Sequence, residues 1–260
     1  MNEAWLAPLK TIAHQAGEAI MEFYRQGETQ TWTKKDDSPI TEADLAAHHI
    51  IVNALSELTP DIPVLSEESD GITWEQRSQW QQYWLVDPLD GTKEFIKQNG
   101  EFTVNIALIE NNQPTMAVVY APVLQSMYYA SESQGSFLEQ GDEAPKKLDL
   151  TISKLTETTR VVGSRSHASP DMEKFTDQFK QVEIVPTGSS LKFCLIAQGV
   201  ADIYPRLGPT MEWDTGAGHC IAKCAGAIVE KFDRTPLDYN ESDSLLNPFF
   251  VVYHPQLVWS

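Results

Sequence analysis

Near residue 155 the sequence changes its grammar, and nothing else in it restricts the fold as strongly. Before that point two helical patterns are followed by apolar segments packed too closely along the chain to leave room for helical crossovers. After it, strand-like and helix-like segments alternate. Residues 3–26 place Trp5, Leu6, Leu9, Ile12, Ala13, Ala16, Ala19, Ile20 and Phe23 at helical spacing, with Gly27 as the stop. The polar stretch "TKKDDSP" leads into "ITEADLAAHHIIVNALSEL", a second helix with Thr41 as N-cap candidate, Asp44 three residues on, and Pro60 as its end. Strand-like runs follow at 62–65, 83–86, 102–109, 116–120 and 127–130, separated by Asn, Pro, Gly and Ser turns that predict antiparallel meanders. Beyond residue 155 the expected order is strand 160–163, helix 170–180, strand 183–185, helix 189–198, strand 201–204 and helix 215–225, an α/β arrangement.

The polar loop at 140–147 is the best candidate boundary. Two units are expected, an α+β part over 1–155 and an α/β part over 156–260, with an active site where they meet. No internal repeat, low-complexity tract or Gly/Ser linker interrupts the 260 residues, and a hydrophobic content of 42 % is enough for a packed core. No apolar run reaches the roughly 18 residues of a membrane span, and "MNEAWLAPLK" lacks the charged-then-apolar order of a signal peptide. The expected compartment is therefore the cytoplasm.

Composition also narrows the partners. With 37 acidic against 19 basic residues the formal charge is -18, which repels nucleic-acid strands and anionic lipid. A small anionic substrate remains open if bound cations invert the local field. Three cysteines, Cys194, Cys220 and Cys224, argue against a disulfide framework. Cys220 and Cys224 beside His219 suggest part of a zinc site, but no second close pair completes four ligands, and buried thiols on one helix face are the simpler reading.

The chemistry concentrates in "WLVDPLDGTKEF", residues 84–95, where an apolar run ends in Asp87 and Asp90 and closes with Gly91, Thr92 and Lys93. Alone, Asp-Pro and Asp-Gly are turn formers. Company changes the reading: "VLSEES" places Glu67 and Glu68 at another strand end, and "MEWDTGAGH" places Asp214 before a helix, where it could equally be an N-cap. Carboxylates from Glu67, Asp87, Asp90 and Asp214 would repel one another unless hard cations sat among them, and such oxygens with water are the ligands magnesium takes. Pro88 forces a turn that lets both aspartates point inward while the Leu89 carbonyl adds an oxygen, so a two-metal site is expected. An aspartyl-nucleophile phosphatase ranks low, because its motif needs acids two apart and Pro88 stands two before Asp90.

Along its whole length the chain resembles the magnesium-dependent, lithium-sensitive phosphatases related to inositol monophosphatase. The resemblance rests on "SEES", "DPLDGT" and "EWDT", occurring in that order. It implies a layered αβαβα sandwich of the sugar-phosphatase type, with an antiparallel N-terminal sheet and a mixed C-terminal sheet. It also implies two or three Mg2+ held by Glu67, Asp87, the Leu89 carbonyl, Asp90 and Asp214, and inhibition by Li+ and Ca2+. Within the family, "DPLDGTKEFIKQNGEFTVNIALI", "VVGSRSH" and "TGSSLKFCLIAQGVADIYPRLGPTMEWDT" resemble the bacterial 3'(2'),5'-bisphosphate nucleotidases. These remove the 3'-phosphate of 3'-phosphoadenosine 5'-phosphate, a by-product of sulfate assimilation.

The expected mechanism is attack by a metal-activated water, aligned by Thr92 whose hydroxyl proton Asp44 accepts, with Glu68 assisting. Asp44 is equally a capping-box partner of Thr41. The uncleaved part of the substrate is expected against Gly91, Lys93, Ser164, Arg165, Ser166, His167, Lys192 and Arg206, and against exposed amides at Gly188, Ser189 and Ser190. The metal-binding positions Glu67, Leu89, Asp90 and Asp214, and the catalytic Thr92, would also touch it. An inositol monophosphatase, a sugar bisphosphatase and a non-enzymatic acidic cation binder stay open as alternatives. The resemblance further implies a monomer or weak dimer, without an integral membrane segment, peripheral at most at the inner membrane.

Overall fold

The structure is a computed structural model that describes residues 3–27, 31–33, 39–163 and 170–260. Helix α1, Leu6–Gln26, follows one 3-10 turn and ends at Gly27, whose φ of 73° makes the left-handed cap that glycine adopts most readily. Strands β1 (Thr31–Thr33) and β2 (Pro39–Thr41) form a small antiparallel pair. Helix α2 (Glu42–Leu58) starts directly after β2 with a capping box between Thr41 and Asp44. Then come β3 (Val64–Ser66), the short α3 (Trp74–Arg77), β4 (Gln82–Asp90) and α4 (Thr92–Ile96).

Five further strands complete the first sheet: β5 (Thr103–Glu110), β6 (Gln113–Ala121), β7 (Ser126–Ser131), β8 (Gly135–Gln140) and β9 (Lys146–Leu148). Its seven strands lie in sequence order, antiparallel throughout except for the parallel pair β3 and β4. The second part contributes β10 (Thr159–Gly163), α5 (Pro170–Thr176), β11 (Val182–Pro186), α6 (Leu191–Ala197), β12 (Ile203–Arg206), α7 (Gly216–Cys224), β13 (Ile228–Lys231) and β14 (Phe250–Tyr253). Its five strands run in the order β11, β10, β12, β14, β13, the first three parallel and the last two pairings antiparallel.

Period-two alternation decides the layers. On β4, Trp84 and Val86 pack with Leu9, Ala16, Ala47 and Ile51 of α1 and α2, while Tyr83 and Leu85 face Leu191, Cys194, Ala217 and Ile221 of α6 and α7. The other faces of α6 and α7, through Phe193, Ile196 and Ala222, meet Val162, Tyr204 and Val252 of the second sheet. Phe175 of α5 covers that sheet's far side against Val161, Ile203 and Val251. The result is the expected αβαβα sandwich. Close approach of the middle layer depends on Gly218, where a Cβ would stand 2.6 Å from the Phe193 ring.

Some local expectations change. The polar loop at 140–147 is the turn of the β8 and β9 hairpin, inside the first sheet, because Leu138 and Leu148 are buried while residues 140–147 between them are exposed. The helix expected to reach residue 180 stops at Thr176, and β13 and β14 lay outside the sequence reading.

Candidate metal centre and phosphate cleft

β4 is apolar to Val86 and then delivers Asp87 at the sheet's end. Pro88 has no amide hydrogen to give the ladder, so the register with β5 shifts between the pairs Asp87 with Asn105 and Asp90 with Thr103. Inside the resulting turn the Leu89 amide donates to Asp87 Oδ1 at 3.0 Å. Gly91, at a φ of 95°, lets the chain swing into α4, with Glu101 O only 3.1 Å from where a Cβ would lie. The parallel neighbour β3 ends level with Val86, whose carbonyl accepts the Glu67 amide at 3.0 Å. Asp214 arrives from the loop before α7. Carboxylate oxygens of Glu67, Asp87 and Asp214 consequently lie within 4.8 Å of one another.

That proximity has an electrostatic consequence. Burial, then the charges of Glu67, Asp90, Asp214 and Asp44, pushes the Asp87 carboxyl well above its usual range. Burial and Asp214 raise Asp90 to about 6, against the pull of Lys192 and the Ser190 hydrogen bonds. Acids held this close are stabilised by taking up protons or by hard cations. A set made only of carboxylate oxygens fits magnesium and does not suit a soft metal.

Asp90 stands slightly apart from the trio. Its Oδ2 accepts the Ser190 amide at 2.6 Å, the Ser190 hydroxyl at 2.9 Å and Asn105 Nδ2 at 3.4 Å. Ser190 Oγ also reaches the Asp214 carbonyl at 2.6 Å, so this buried serine ties the two acidic loops together. The expectation that the Ser190 amide meets an anion is corrected accordingly: that donor is turned inward, onto Asp90.

Asp44 makes both contacts that the sequence left open. Its Oδ2 accepts the Thr41 amide at 2.8 Å as the capping box requires, and its Oδ1 lies 3.2 Å from Thr92 Oγ1. Thr92 Oγ1 is also 3.4 Å from the Leu89 carbonyl. Asp214 is no helix cap: its Oδ2 accepts from Thr210 Oγ1 at 2.8 Å and the Met211 amide at 2.9 Å, back along its own loop. Glu68 is partly exposed, and its amide lies 3.4 Å from Ser66 Oγ.

Asp90, Gly91 and Asp214 open onto a cleft of about 450 Å3 at the junction of the two parts. Of the residues expected to contact substrate, Gly188, Ser189, Lys192 and Arg206 line it. Lys192 Nζ donates to the Ser189 carbonyl at 3.1 Å, and Arg206 to the carbonyls of Gly208 and Pro209. Lys93 is exposed on α4 and lies outside the lining; Lys97, one helical turn later, takes the place expected for it. The i, i+4 spacing of the two lysines is the signal that would have found Lys97. Thr187, Tyr204 and Thr210 also line the cleft unforeseen. Ser164, Arg165, Ser166 and His167 lie outside the described residues. His219 is buried with Nδ1 3.1 Å from the Tyr239 hydroxyl, so the zinc reading gives way to a packed helix.

Residues 1–256 match the inositol monophosphatase family. The chain is 52 % identical, over 93 % of its length and 96 % of the relative's, to the 3'(2'),5'-bisphosphate nucleotidase CysQ of Salmonella typhimurium. It is 50 % identical, with the same coverage, to the CysQ of Escherichia coli K12. The crystal structure of CysQ from Bacteroides thetaiotaomicron, a bacterial member of the inositol monophosphatase family, superposes with a TM-score of 0.86 at 41 % identity over 98 % of both chains. With three acidic strand and loop ends brought together in this fold, the chain belongs to the inositol monophosphatase family.

Proposed function

We propose that this chain is a magnesium-dependent 3'(2'),5'-bisphosphate nucleotidase that removes the 3'-phosphate of 3'-phosphoadenosine 5'-phosphate, giving AMP and phosphate. The observation that carries the reading is the convergence of Glu67, Asp87 and Asp214, the last of which also lines a cleft that bears Lys97, Lys192 and Arg206. The names of relatives at 50 % identity and above support the nucleotide over an inositol or sugar phosphate.

Glu67, Asp87, the Leu89 carbonyl, Asp90 and Asp214 would hold the magnesium ions. Bound there, the ions neutralise phosphoryl charge and make water a stronger nucleophile. The protein's own groups do the aligning. Thr92 gives its hydroxyl proton to Asp44 Oδ1 in a hydrogen bond, which leaves an Oγ1 lone pair to accept one from the attacking water. The water oxygen bonds to phosphorus as the bond to the ribose 3'-oxygen breaks, and the leaving oxygen ends protonated. Glu68 helps position the water. Lys192 and Arg206 face the second phosphate, and their charge offsets the repulsion that a net charge of -18 exerts on a bisphosphate.

Inhibition by Li+ and Ca2+, a place in sulfur metabolism, action as a monomer or weak dimer, and a cytoplasmic location, peripheral at most at the inner membrane, belong to the same proposal. No described helix is long and apolar enough to cross a membrane. The units 1–155 and 156–260 are proposed to meet at the cleft, the first carrying most of the metal ligands. The test is phosphate release from 3'-phosphoadenosine 5'-phosphate, inositol 1-phosphate and fructose 1,6-bisphosphate, with magnesium and with or without lithium. Lithium-sensitive preference for the nucleotide supports the proposal; preference for either other substrate, or no release at all, overturns it.

A further inference from the structure

Helix α2 touches the metal centre at two places one turn apart. Asp44 reaches the Thr92 hydroxyl on the β4 turn. Four residues later His48 Nδ1 lies 2.9 Å from Ser66 Oγ, the last residue of β3 before the adjacent acids Glu67 and Glu68. Ser66 is buried at 2 % exposure, and its Oγ is also the atom facing the Glu68 amide. The Glu67 amide is fixed from the other side by the Val86 carbonyl. The short turn that presents Glu67 is thus held between β4 and the His48 ring.

We propose that His48 is a positioning residue: through Ser66 it fixes the turn that presents Glu67 and Glu68, so that α2 sets the separation between this turn and Thr92. The proposal rests on magnesium binding by the Glu67, Asp87 and Asp214 cluster, and it is independent of which phosphate ester is the substrate. A helix is a stiff spacer, so contacts at residues i and i+4 of one face hold two loops at a fixed distance. Partners of metal ligands held in this way typically change metal affinity or activity by roughly 10 to 100-fold when removed. His48 is half-buried on the surface of α2, so its replacement leaves the core of that helix intact.

The experiment measures the rise in melting temperature as magnesium is titrated into chelator-treated protein, alongside the magnesium concentration for half-maximal phosphatase activity. His48→Leu and Ser66→Ala are each expected to raise the magnesium requirement roughly tenfold in both readouts, with the melting temperature in chelator unchanged. The double variant is expected to be no worse than either single one, because both break the same link. His48→Asn, whose amide oxygen takes the place of Nδ1, is expected to restore most of the affinity. Wild-type magnesium dependence in His48→Leu, or losses that add in the double variant, would overturn the assignment. Failure of the nucleotidase reading would appear instead as altered substrate preference with the melting-temperature titration still behaving as described.

Discussion

Replacing Asp87 with Asn is predicted to stabilise the metal-free protein while abolishing its response to magnesium. Asp87 is 1 % exposed, and the carboxylates of Glu67 and Asp214 lie within 4.8 Å of it. At an effective dielectric constant of about 20, each such neighbour costs about 3 to 4 kcal/mol. Protonation limits the damage. Taking up a proton at pH 7, about 3 pH units above the value of a free aspartate, would cost the fold about 4 kcal/mol, which bounds the penalty of burying this carboxyl.

Asn removes that charge and keeps an oxygen for the Leu89 amide that Asp87 Oδ1 accepts. The expected gain in chelator is about 2 to 4 kcal/mol, or roughly 5 to 10 °C in melting temperature for a chain of this size. Because the folded carboxyl is raised, the folded state binds more protons than the unfolded one between about pH 4 and its own titration, so wild-type stability rises as pH falls. The variant's advantage must therefore shrink as the pH falls from 7 to 5. Excess magnesium must raise the wild type and leave the variant in place. Thermal unfolding by circular dichroism, with chelator and with magnesium at both pH values, reads all of this. A variant that melts below wild type in chelator, or an advantage that grows on acidification, would refute the electrostatic reasoning.

Thr92→Ala should lower kcat on the order of 10^2 to 10^3-fold with magnesium affinity and KM little changed, and Thr92→Ser should recover most of the rate; steady-state kinetics decide it. Lys192→Met should raise KM for the bisphosphate roughly tenfold while leaving a 3'-monophosphate substrate almost unaffected, which parallel assays of the two substrates would reveal. Gly218→Ala should destabilise the fold by about 1 to 3 kcal/mol in a denaturant titration, since the new Cβ would stand 2.6 Å from the Phe193 ring between the two sheets.

Much of the site was legible because its signals are local. Asp87, Leu89, Asp90 and Thr92 share one turn, and Pro88 alone guarantees that the strand must bend there. The capping box of Asp44 with Thr41 is likewise a matter of three-residue spacing. Strands β3 to β7 of the first sheet were readable because they are short apolar runs bounded by turn residues, and neighbours follow one another along the chain. The hairpin of β8 and β9 escaped because its strands are short and half-exposed, leaving a polar turn that imitates a linker. Lys97 escaped because it stands beyond the motif that ends at Lys93, whereas the cleft lining lies one helical turn further on.

Sequence by itself determined the run of helices and strands and the identities of the acids, since hydrophobic periodicity and turn chemistry act over a few residues and need no partner; the layer order followed from the family resemblance. Only the tertiary structure decided where each oxygen goes. One oxygen of Asp44 caps a helix and the other meets Thr92, and the Ser190 amide serves Asp90 and not an anion. Asp214 bonds its own loop and still reaches Glu67 and Asp87 from more than a hundred residues away. Such choices depend on which buried donors the packed layers bring within about 3 Å, and no local pattern encodes that distance.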